Sequence, residues 1–173
     1  IARIIKDARD RDLRVYAAVN CGVPREQQDA VIATFKEFLD LGANAMWASF
    51  DDKGAGAAPV EMVSKVLALG RERGIIGDAI AITPPKGDYQ TIDTKFNRQI
   101  VAVPGMERAV WYWTSIPCAE DAAAGKSIGL QVNPSWWHNW PRLPHPSLHT
   151  GGGQYVPVVS LAAGWNHPNE REL

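Results

Sequence analysis

Two adjacent aspartates, Asp51 and Asp52, directly follow the apolar run NAMWASF (residues 44–50). Neighbouring carboxylates repel each other and each resists leaving water, so an apolar strand that ends on such a pair needs a compensating reason. Either the pair begins a solvated loop, or it is a site for acid–base chemistry. In such a site the repulsion raises the pKa of one carboxyl group while its partner stays ionised.

Tryptophan is the second unusual feature of the chain. Two of the seven tryptophans lie in WYW (residues 111–113) and three in WWHNW (residues 136–140). Aromatic planes of this kind stack on the apolar faces of sugars as readily as they fill a core. The clusters are therefore candidates both for substrate contact and for packing.

Composition limits the classes of function. The 173 residues are 46% hydrophobic and 21% charged, which is typical of a globular domain with a core of its own. The net charge of -1, without any cluster of basic residues, argues against nucleic acid as a partner. No apolar stretch approaches the roughly 20 residues of a membrane span, so we expect a soluble protein without a membrane partner. The compartment is not predicted.

Metal and cofactor sites are not indicated. Cys21 and Cys118 lie far apart without a C-x-x-C spacing, and we expect both to be free, buried thiols. The four histidines match no H-E-x-x-H or comparable spacing, and we expect them in loops: His138, His145, His149 and His167. We therefore predict no metal and no cofactor.

Strand and helix patterns alternate along the chain. Periodicity predicts helices over residues 2–11, 25–42, 60–74 and 94–103, and a short helix or loop over 118–127. Strands are predicted over residues 13–20, 44–50, 77–83, 108–115, 128–133 and 154–166. They are apolar on both faces, which is typical of parallel strands covered by helices. Such a sixfold alternation predicts an α/β fold, either a doubly wound sheet or a (β/α) barrel, and the absence of G-x-G-x-x-G favours the barrel.

In a barrel of this kind, chemistry takes place on the loops that follow the carboxyl ends of the strands. The residues predicted there are amides, hydroxyls, carboxylates and aromatic rings: Asn20, Asp51, Asp52, Thr83, the loop PPKGDY, Trp113, Thr114, Ser115, Asn133, the segment WWHNW, Trp165 and Asn166. This set of side chains suits a carbohydrate ligand.

The phrase FKEFLDLGANAMWASFDD resembles the signature of glycoside hydrolase family 84, the O-GlcNAcase and hyaluronoglucosaminidase-like β-N-acetylglucosaminidases. In that family, a strand that ends on a catalytic Asp-Asp pair follows a helix that closes with a leucine-glycine phrase. Three later segments are similar to family landmarks in the same order: WYWTS to Trp-Thr-Gly, WWHNWP to Trp-Asn-Phe/Tyr-Pro, and SLAAGWNHP to Ala-Trp-Asn-Pro.

The resemblance implies a fold of the α/β class, a (β/α)8 TIM barrel of which this chain carries about the last six βα units. Residues 1–173 are then one partial catalytic barrel domain that starts in the helix before the third strand. An open sheet of six strands would expose apolar edges and faces. We therefore expect a missing N-terminal segment, or self-association, to close the barrel.

The resemblance also implies roles for individual residues. The enzyme would remove terminal β-linked N-acetylglucosamine from a carbohydrate or glycoprotein by the substrate-assisted, retaining mechanism, in which the acetamido oxygen attacks C1. Asp51 would accept the acetamide N–H and stabilise the oxazolinium ion, and Asp52 would act as the general acid and base. The other residues implied in substrate binding are Asn139, Trp137, Trp113, Thr114, Tyr89 and Asn166.

Two other functions remain open on the sequence. Lys53 stands where the family has an apolar residue, and Pro144 stands where the family has a sugar-binding aspartate. With the missing units, these departures favour a degenerate barrel that binds N-acetylated glycans without cleaving them. A glycosidase for non-acetylated sugars would need a separate nucleophile, for which Asp88 and Glu120 are the nearby carboxylates.

Overall fold

The computed structural model of the chain describes residues 1–51, 54–85, 94–107, 109–113 and 132–134. The helices in these ranges are α1 (Ala2–Arg9), α2 (Gln28–Asp40), α3 (Pro59–Glu72) and α4 (Lys95–Val101). The strands are β1 (Tyr16–Asn20), β2 (Ala45–Ser49), β3 (Ile80–Thr83), β4 (Val110–Trp113) and β5 (Val132–Pro134). Short 3₁₀ turns at Arg25–Gln27 and Gly77–Ala79 precede α2 and β3.

The strands form one parallel sheet in the order β1-β2-β3-β4-β5. A doubly wound sheet reverses its strand order at a switch point, whereas here each new strand joins the same side of the preceding one. Neighbouring strands of a (β/α) barrel follow one another in this order. The described residues therefore confirm an α/β fold with a parallel sheet, but they do not include a closed barrel.

Helices α2, α3 and α4 cover one face of this sheet. Side chains from alternate strand positions, such as Met46, Ile82 and Trp111, are fully buried against apolar residues of the helices, such as Phe35 of α2 and Val66 of α3. The opposite face, here called the helix-free face because α2, α3 and α4 do not lie on it, holds a separate cluster in which Tyr16 and Trp47 pack against Ala81. The main core of the described part therefore lies between the sheet and the helices.

Local signals explain where the helices begin and end. Apolar residues at three- and four-residue spacing bury one side of α2, and Gly42 follows the helix with φ of 103°, a conformation that favours glycine. Pro59 begins α3, where its missing N–H costs nothing. Thr94 caps α4, because its hydroxyl oxygen accepts the N–H of Asn97 at 3.1 Å.

The amino-terminal edge of the sheet is held by long-range polar contacts. The Arg14 guanidinium lies 3.1 Å from the Asp78 carboxylate, and the Tyr16 hydroxyl donates to the Asp78 carbonyl at 2.8 Å. The Asn44 side chain accepts the N–H of Val15 at 2.8 Å. These contacts connect the segments that lead into β1, β2 and β3, so the three strands start in a defined register.

The predicted elements agree with the described ones except at their boundaries. Residues 77–79, predicted as the beginning of a strand, form a 3₁₀ turn instead, since Gly77 has φ of 62°, which a β-strand does not accommodate. Residues 13–15 precede β1 rather than belonging to it. The predictions for residues 118–127 and 154–166 lie outside the described ranges. Within those ranges, no helix is long and apolar enough to cross a membrane.

The close approach of α3 to the sheet generates a prediction at Gly70. A Cβ at this position would lie 2.5 Å from the Ile75 carbonyl oxygen and 3.0 Å from the Met46 Cε. Alanine is the better helix former by about 1 kcal/mol, yet we expect Gly70→Ala to lower the free energy of unfolding by about 1–3 kcal/mol through overpacking. Urea unfolding would measure this.

Ser64→Ala on the exposed side of the same helix is the control, for which we expect a change within about 0.5 kcal/mol. A Gly70→Ala protein as stable as the parent would contradict the packing described between α3 and β2.

Candidate active site

Three polar residues lie side by side at the carboxyl edge of the sheet. The register pairs Asn20 at the end of β1 with Ser49 at the end of β2, and pairs Ser49 with Thr83 at the end of β3. In parallel α/β folds this is the edge at which ligands bind. Asp51 follows Ser49 by two residues and so extends from this row.

Asp51 begins the turn that follows β2 at the carboxyl edge. Phe50 is fully buried in the core on the helix side, and its N–H continues the sheet by donating to the Thr83 carbonyl at 2.9 Å. Because successive residues of a strand point to opposite faces, Ser49 lies on the face of Trp47, and Asp51 begins the turn that follows. Asp51 is half-buried there, and its backbone N–H lies 3.5 Å from the Ser49 hydroxyl oxygen.

An aromatic contact fixes the end of β2. The Phe50 ring meets the Phe96 ring of α4 edge to face, with centroids 5.1 Å apart and an interplanar angle of 64°. Such pairs contribute about 0.5–1.5 kcal/mol beyond the area that they bury. The residue immediately before the aspartate pair is therefore anchored in the core.

The Trp47 side chain extends along the helix-free face toward the carboxyl edge. Trp47 is paired in the sheet with Ala81, but its indole N–H donates to the hydroxyl oxygen of Thr83, two residues further along β3, at 2.7 Å. Thr83 is only 4% exposed. An aromatic plane and a hydroxyl group are thus held together next to Ser49, at the base of the candidate site.

The loop after β1 turns sharply at the same edge. The Asn20 side-chain oxygen accepts the N–H of Gly22 at 3.0 Å, and the N–H of Cys21 donates to the Ser49 carbonyl at 2.6 Å. Cys21 itself is 1% exposed and free, as predicted. Burial raises the pKa of its thiol to about 12, against a smaller opposite effect of a backbone hydrogen bond with Ser49. Since thiolates are the reactive form, Cys21 is a packing residue.

The loop after β2 packs on the loop after β1. Gly56 has φ of 72°, and a Cβ there would lie 2.8 Å from the Val23 carbonyl oxygen. At the end of the loop, the amide of Gln28 donates to the Ala58 carbonyl at 3.1 Å. Gln28 is 1% exposed, and its Oε1 has no hydrogen-bond partner among the described residues. A buried acceptor without a partner costs about 1–3 kcal/mol, which the packing around it has to offset.

Charged residues connect the beginnings of α2 and α3 on the surface. Arg25 donates through Nε to Glu61 at 2.7 Å, and Lys65 lies 2.8 Å from Asp29 and 3.6 Å from Glu61. The hydrogen bond from Arg25 lowers the pKa of Glu61, and the one to Asp29 raises the pKa of Lys65. Exposed ion pairs of this kind add little to the stability of the fold, so they contribute less than the buried contacts.

The structure places part of the predicted site. Asp51 and Thr83 lie at the carboxyl edge, and Trp113 is the last residue of β4 at that edge. The other site residues that we predicted lie outside the described ranges: Asp52, Tyr89, Thr114, Trp137, Asn139 and Asn166. The same holds for Lys53, Asp88, Glu120, Pro144, Cys118 and the four histidines. Among the residues that are described, no three His, Cys, Asp or Glu side chains form a group able to hold a metal ion.

Sequence analysis did not identify Trp47 or Gln28 as residues of this region. Trp47 stands in the middle of an apolar strand, and no pattern distinguishes it from a core residue. Gln28 could have been noticed as a polar residue on the apolar side of α2, three positions before Val31 and seven before Phe35. That spacing predicts burial, and a buried amide needs a partner.

The raised pKa of the Cys21 thiol predicts a loss of stability in alkali. Below about pH 9, the ordinary pKa of a thiol, the folded and unfolded chains both keep the proton. Between about 9 and 12 the unfolded thiol loses it first, so the free energy of unfolding falls by up to about 1.4 kcal/mol per pH unit. Urea unfolding at pH 8 to 10.5 should show a steeper decline for the parent than for Cys21→Ala. Equal slopes would contradict this.

The bond between Trp47 and Thr83 can be tested by removing the acceptor alone. Thr83→Val keeps the shape of the side chain but cannot accept the indole N–H, so we expect the free energy of unfolding to fall by about 1–2 kcal/mol. Thr83→Ser keeps the hydroxyl group and is the matched control. In a cycle with Trp47→Phe, the double variant should lose less than the sum of the two single losses. Additive losses would show that the two side chains do not interact.

No protein-family model matches the chain, and no curated protein is similar to it in sequence. Among solved structures, the fold is similar to that of an aspartate-to-asparagine mutant of the O-GlcNAc hydrolase of Thermobaculum terrenum, with a TM-score of 0.62 and 17% sequence identity. The likeness covers 90% of this chain and 42% of the other, so the chain spans less than half the length of that protein. At this identity the likeness concerns the fold alone: an α/β fold whose parallel sheet resembles part of that hydrolase.

Proposed function

We propose that the chain is part of a glycoside hydrolase that removes terminal β-linked N-acetylglucosamine from a carbohydrate or glycoprotein. The observation that carries the proposal is the position of Asp51. It is the first of two adjacent carboxylates, it follows a buried parallel strand, and it lies half-buried at the carboxyl edge of the sheet. The fold likeness to an O-GlcNAc hydrolase adds support to this class of activity.

The proposed mechanism divides the work between two neighbouring carboxyl groups. Asp51, ionised, accepts the acetamide N–H, so that the acetamide oxygen attacks C1 and the bond to the leaving oxygen breaks. Asp52 donates its proton to that leaving oxygen, and the sugar becomes an oxazolinium ion. Asp52 then takes a proton from water as the water attacks C1, which restores the acetamide and retains the β configuration.

The remaining residues of the proposed site contact the sugar. Asn139 holds hydroxyl groups, and Trp137 and Trp113 form apolar walls against the ring faces. The other proposed contacts are made by Thr114, Tyr89 and Asn166. Neither a metal ion nor an organic cofactor takes part in this mechanism, because the substrate's own acetamide supplies the nucleophile.

The domain that we propose is a (β/α)8 barrel of which residues 1–173 form a part. Two features of the described sheet support this: its strands follow one another in chain order, and Tyr16 and Trp47 project apolar surface onto the helix-free face. In a closed barrel that face becomes the packed interior. Further strands, from the same polypeptide or from a second copy, would complete the wall.

A second candidate function is the binding of N-acetylated glycans without cleavage. Lys53 directly follows the aspartate pair in the sequence, and an ammonium group close to a carboxyl group lowers its pKa. A general acid needs the opposite shift in order to hold its proton near neutral pH. The two functions differ in turnover rather than in ligand.

Hydrolysis of aryl N-acetyl-β-glucosaminides by the full-length protein tests the proposal. We expect Asp52→Asn to lower kcat about a hundredfold or more with a poor leaving group, because the acid is lost. The deficit should shrink with a dinitrophenyl leaving group, which departs without a proton. Asp51→Asn should lower kcat with both substrates, since it no longer stabilises the oxazolinium ion.

Asp40→Asn is the control, because this exposed carboxylate on α2 pairs with Arg73 away from the carboxyl edge. Equal turnover of the matching glucoside without an acetamide would contradict the substrate-assisted mechanism. Binding of N-acetylglucosamine by calorimetry without turnover would favour the second candidate. A folded protein that neither binds nor cleaves would rule out both.

A further inference from the structure

We propose that Gln28 is a positioning residue of the active site: its hydrogen bond to Ala58 holds residues 54–58, which follow the two aspartates in the chain, against the neighbouring loop after β1. This inference rests on the proposed function for its effect on catalysis. The geometry behind it does not depend on that function, because it concerns contacts that are described at both ends of the loop after β2.

The beginning of the loop is fixed by the sheet. Phe50 donates its N–H to the Thr83 carbonyl at 2.9 Å, and its ring packs on Phe96. Asp51 follows immediately. Any freedom in the path of the loop therefore has to be limited from its other end, where α3 begins.

The far end of the loop is fixed by Gln28. Ala58 is the residue before α3, and it has no side chain that could cap the helix. Its carbonyl accepts the N–H of Met62 at 3.0 Å and the Gln28 amide at 3.1 Å. Gln28 is the first residue of α2, 30 positions earlier, so the bond links two helix beginnings on adjacent βα units.

Between these ends the contact with the loop after β1 is made by backbone. Gly56 lies against Val23 with no room for a Cβ, and the N–H of Ala57 lies 3.5 Å from the Val23 carbonyl oxygen, a long and weak hydrogen bond. The Gln28 bond, at 3.1 Å, is shorter than the bond of Ala57, and it is partly buried whereas Ala57 is exposed. Both differences make the Gln28 bond the stronger of these two.

A substitution of Gln28 can distinguish the effect of its hydrogen bond from the effect of the volume that it fills. A methionine of similar volume would fill the same buried space, and it would not bury an acceptor such as Oε1, which has no partner within the described ranges. What only the amide supplies is the N–H for Ala58. Misplacing a catalytic group by about 1 Å can cost about a hundredfold in rate, so a loose loop should affect kcat more than KM.

Two substitutions in the full-length protein test this. Gln28→Met cannot donate, and we expect it to lower kcat about tenfold to a hundredfold at every pH while KM changes less than about twofold.

Gln28→Glu should match Gln28→Met at alkaline pH, where the ionised carboxylate faces the Ala58 carbonyl. As the pH falls, the carboxyl group gains a proton that it can donate to the Ala58 carbonyl. The activity of the Gln28→Glu variant relative to the parent should therefore rise. Because burial raises the pKa of a carboxyl group, we expect this recovery at a pH above the ordinary carboxyl pKa of about 4.3.

Ser64→Ala is the matched control, since it removes a side-chain-to-backbone bond of 2.7 Å on α3 without touching the loop. Amide hydrogen exchange supplies a readout that needs no turnover. We expect Gln28→Met to speed exchange at residues 54–58 and to leave the centre of β2 unchanged, even if the parent protein shows no hydrolysis and the proposed function fails.

Three results would overturn the inference. The first is a kcat within twofold of the parent for Gln28→Met together with unchanged exchange at residues 54–58. The second is a constant ratio of Gln28→Glu to parent activity across the pH range. The third is faster exchange throughout β2 and α3, which would show a general loss of folding and assign Gln28 to overall stability rather than to the loop.

Discussion

The burial of Phe50 is the constraint on which the candidate site depends. This ring belongs to the core between the sheet and the helices, and it is held there by Phe96 and by the backbone bond to Thr83. Because Phe50 is held in this way, the turn that begins at Asp51 leaves the sheet from a defined point at the carboxyl edge. The packing of Phe50 in the core therefore also determines that the next residue, the carboxylate Asp51, lies at the carboxyl edge.

The two faces of the sheet differ in packing and in polarity. The helix side is closely packed, to the point that Gly70 has no room for a methyl group. The helix-free face carries the Trp47 indole, the Thr83 hydroxyl and the row of polar residues at the carboxyl edge. A rigid layer on one side allows polar groups on the other to be held without each being fully buried, and catalytic sites on α/β sheets are built in this way.

Adjacent βα units also support each other at the carboxyl edge. The loops after β1 and β2 meet through the close contact of Gly56 with Val23 and through the amide of Gln28. The ion pairs of Arg25, Glu61 and Lys65 lie on the surface of the same junction. Residues 56–58, near the start of α3, are thus in contact with the preceding βα unit.

By itself the sequence determined the alternation of helices and strands, the parallel class of the sheet and the presence of two carboxylates at a strand end. These depend on local periodicity and on residues such as Pro59 and Gly42, whose conformational limits act within a few positions. Only the tertiary structure decided which face of β2 packs against the helices, because β2 is apolar on both faces and its pattern does not distinguish them. It also decided the partners of Trp47 and Gln28, since hydrogen bonds across 30 residues or more depend on how the strands and helices pack.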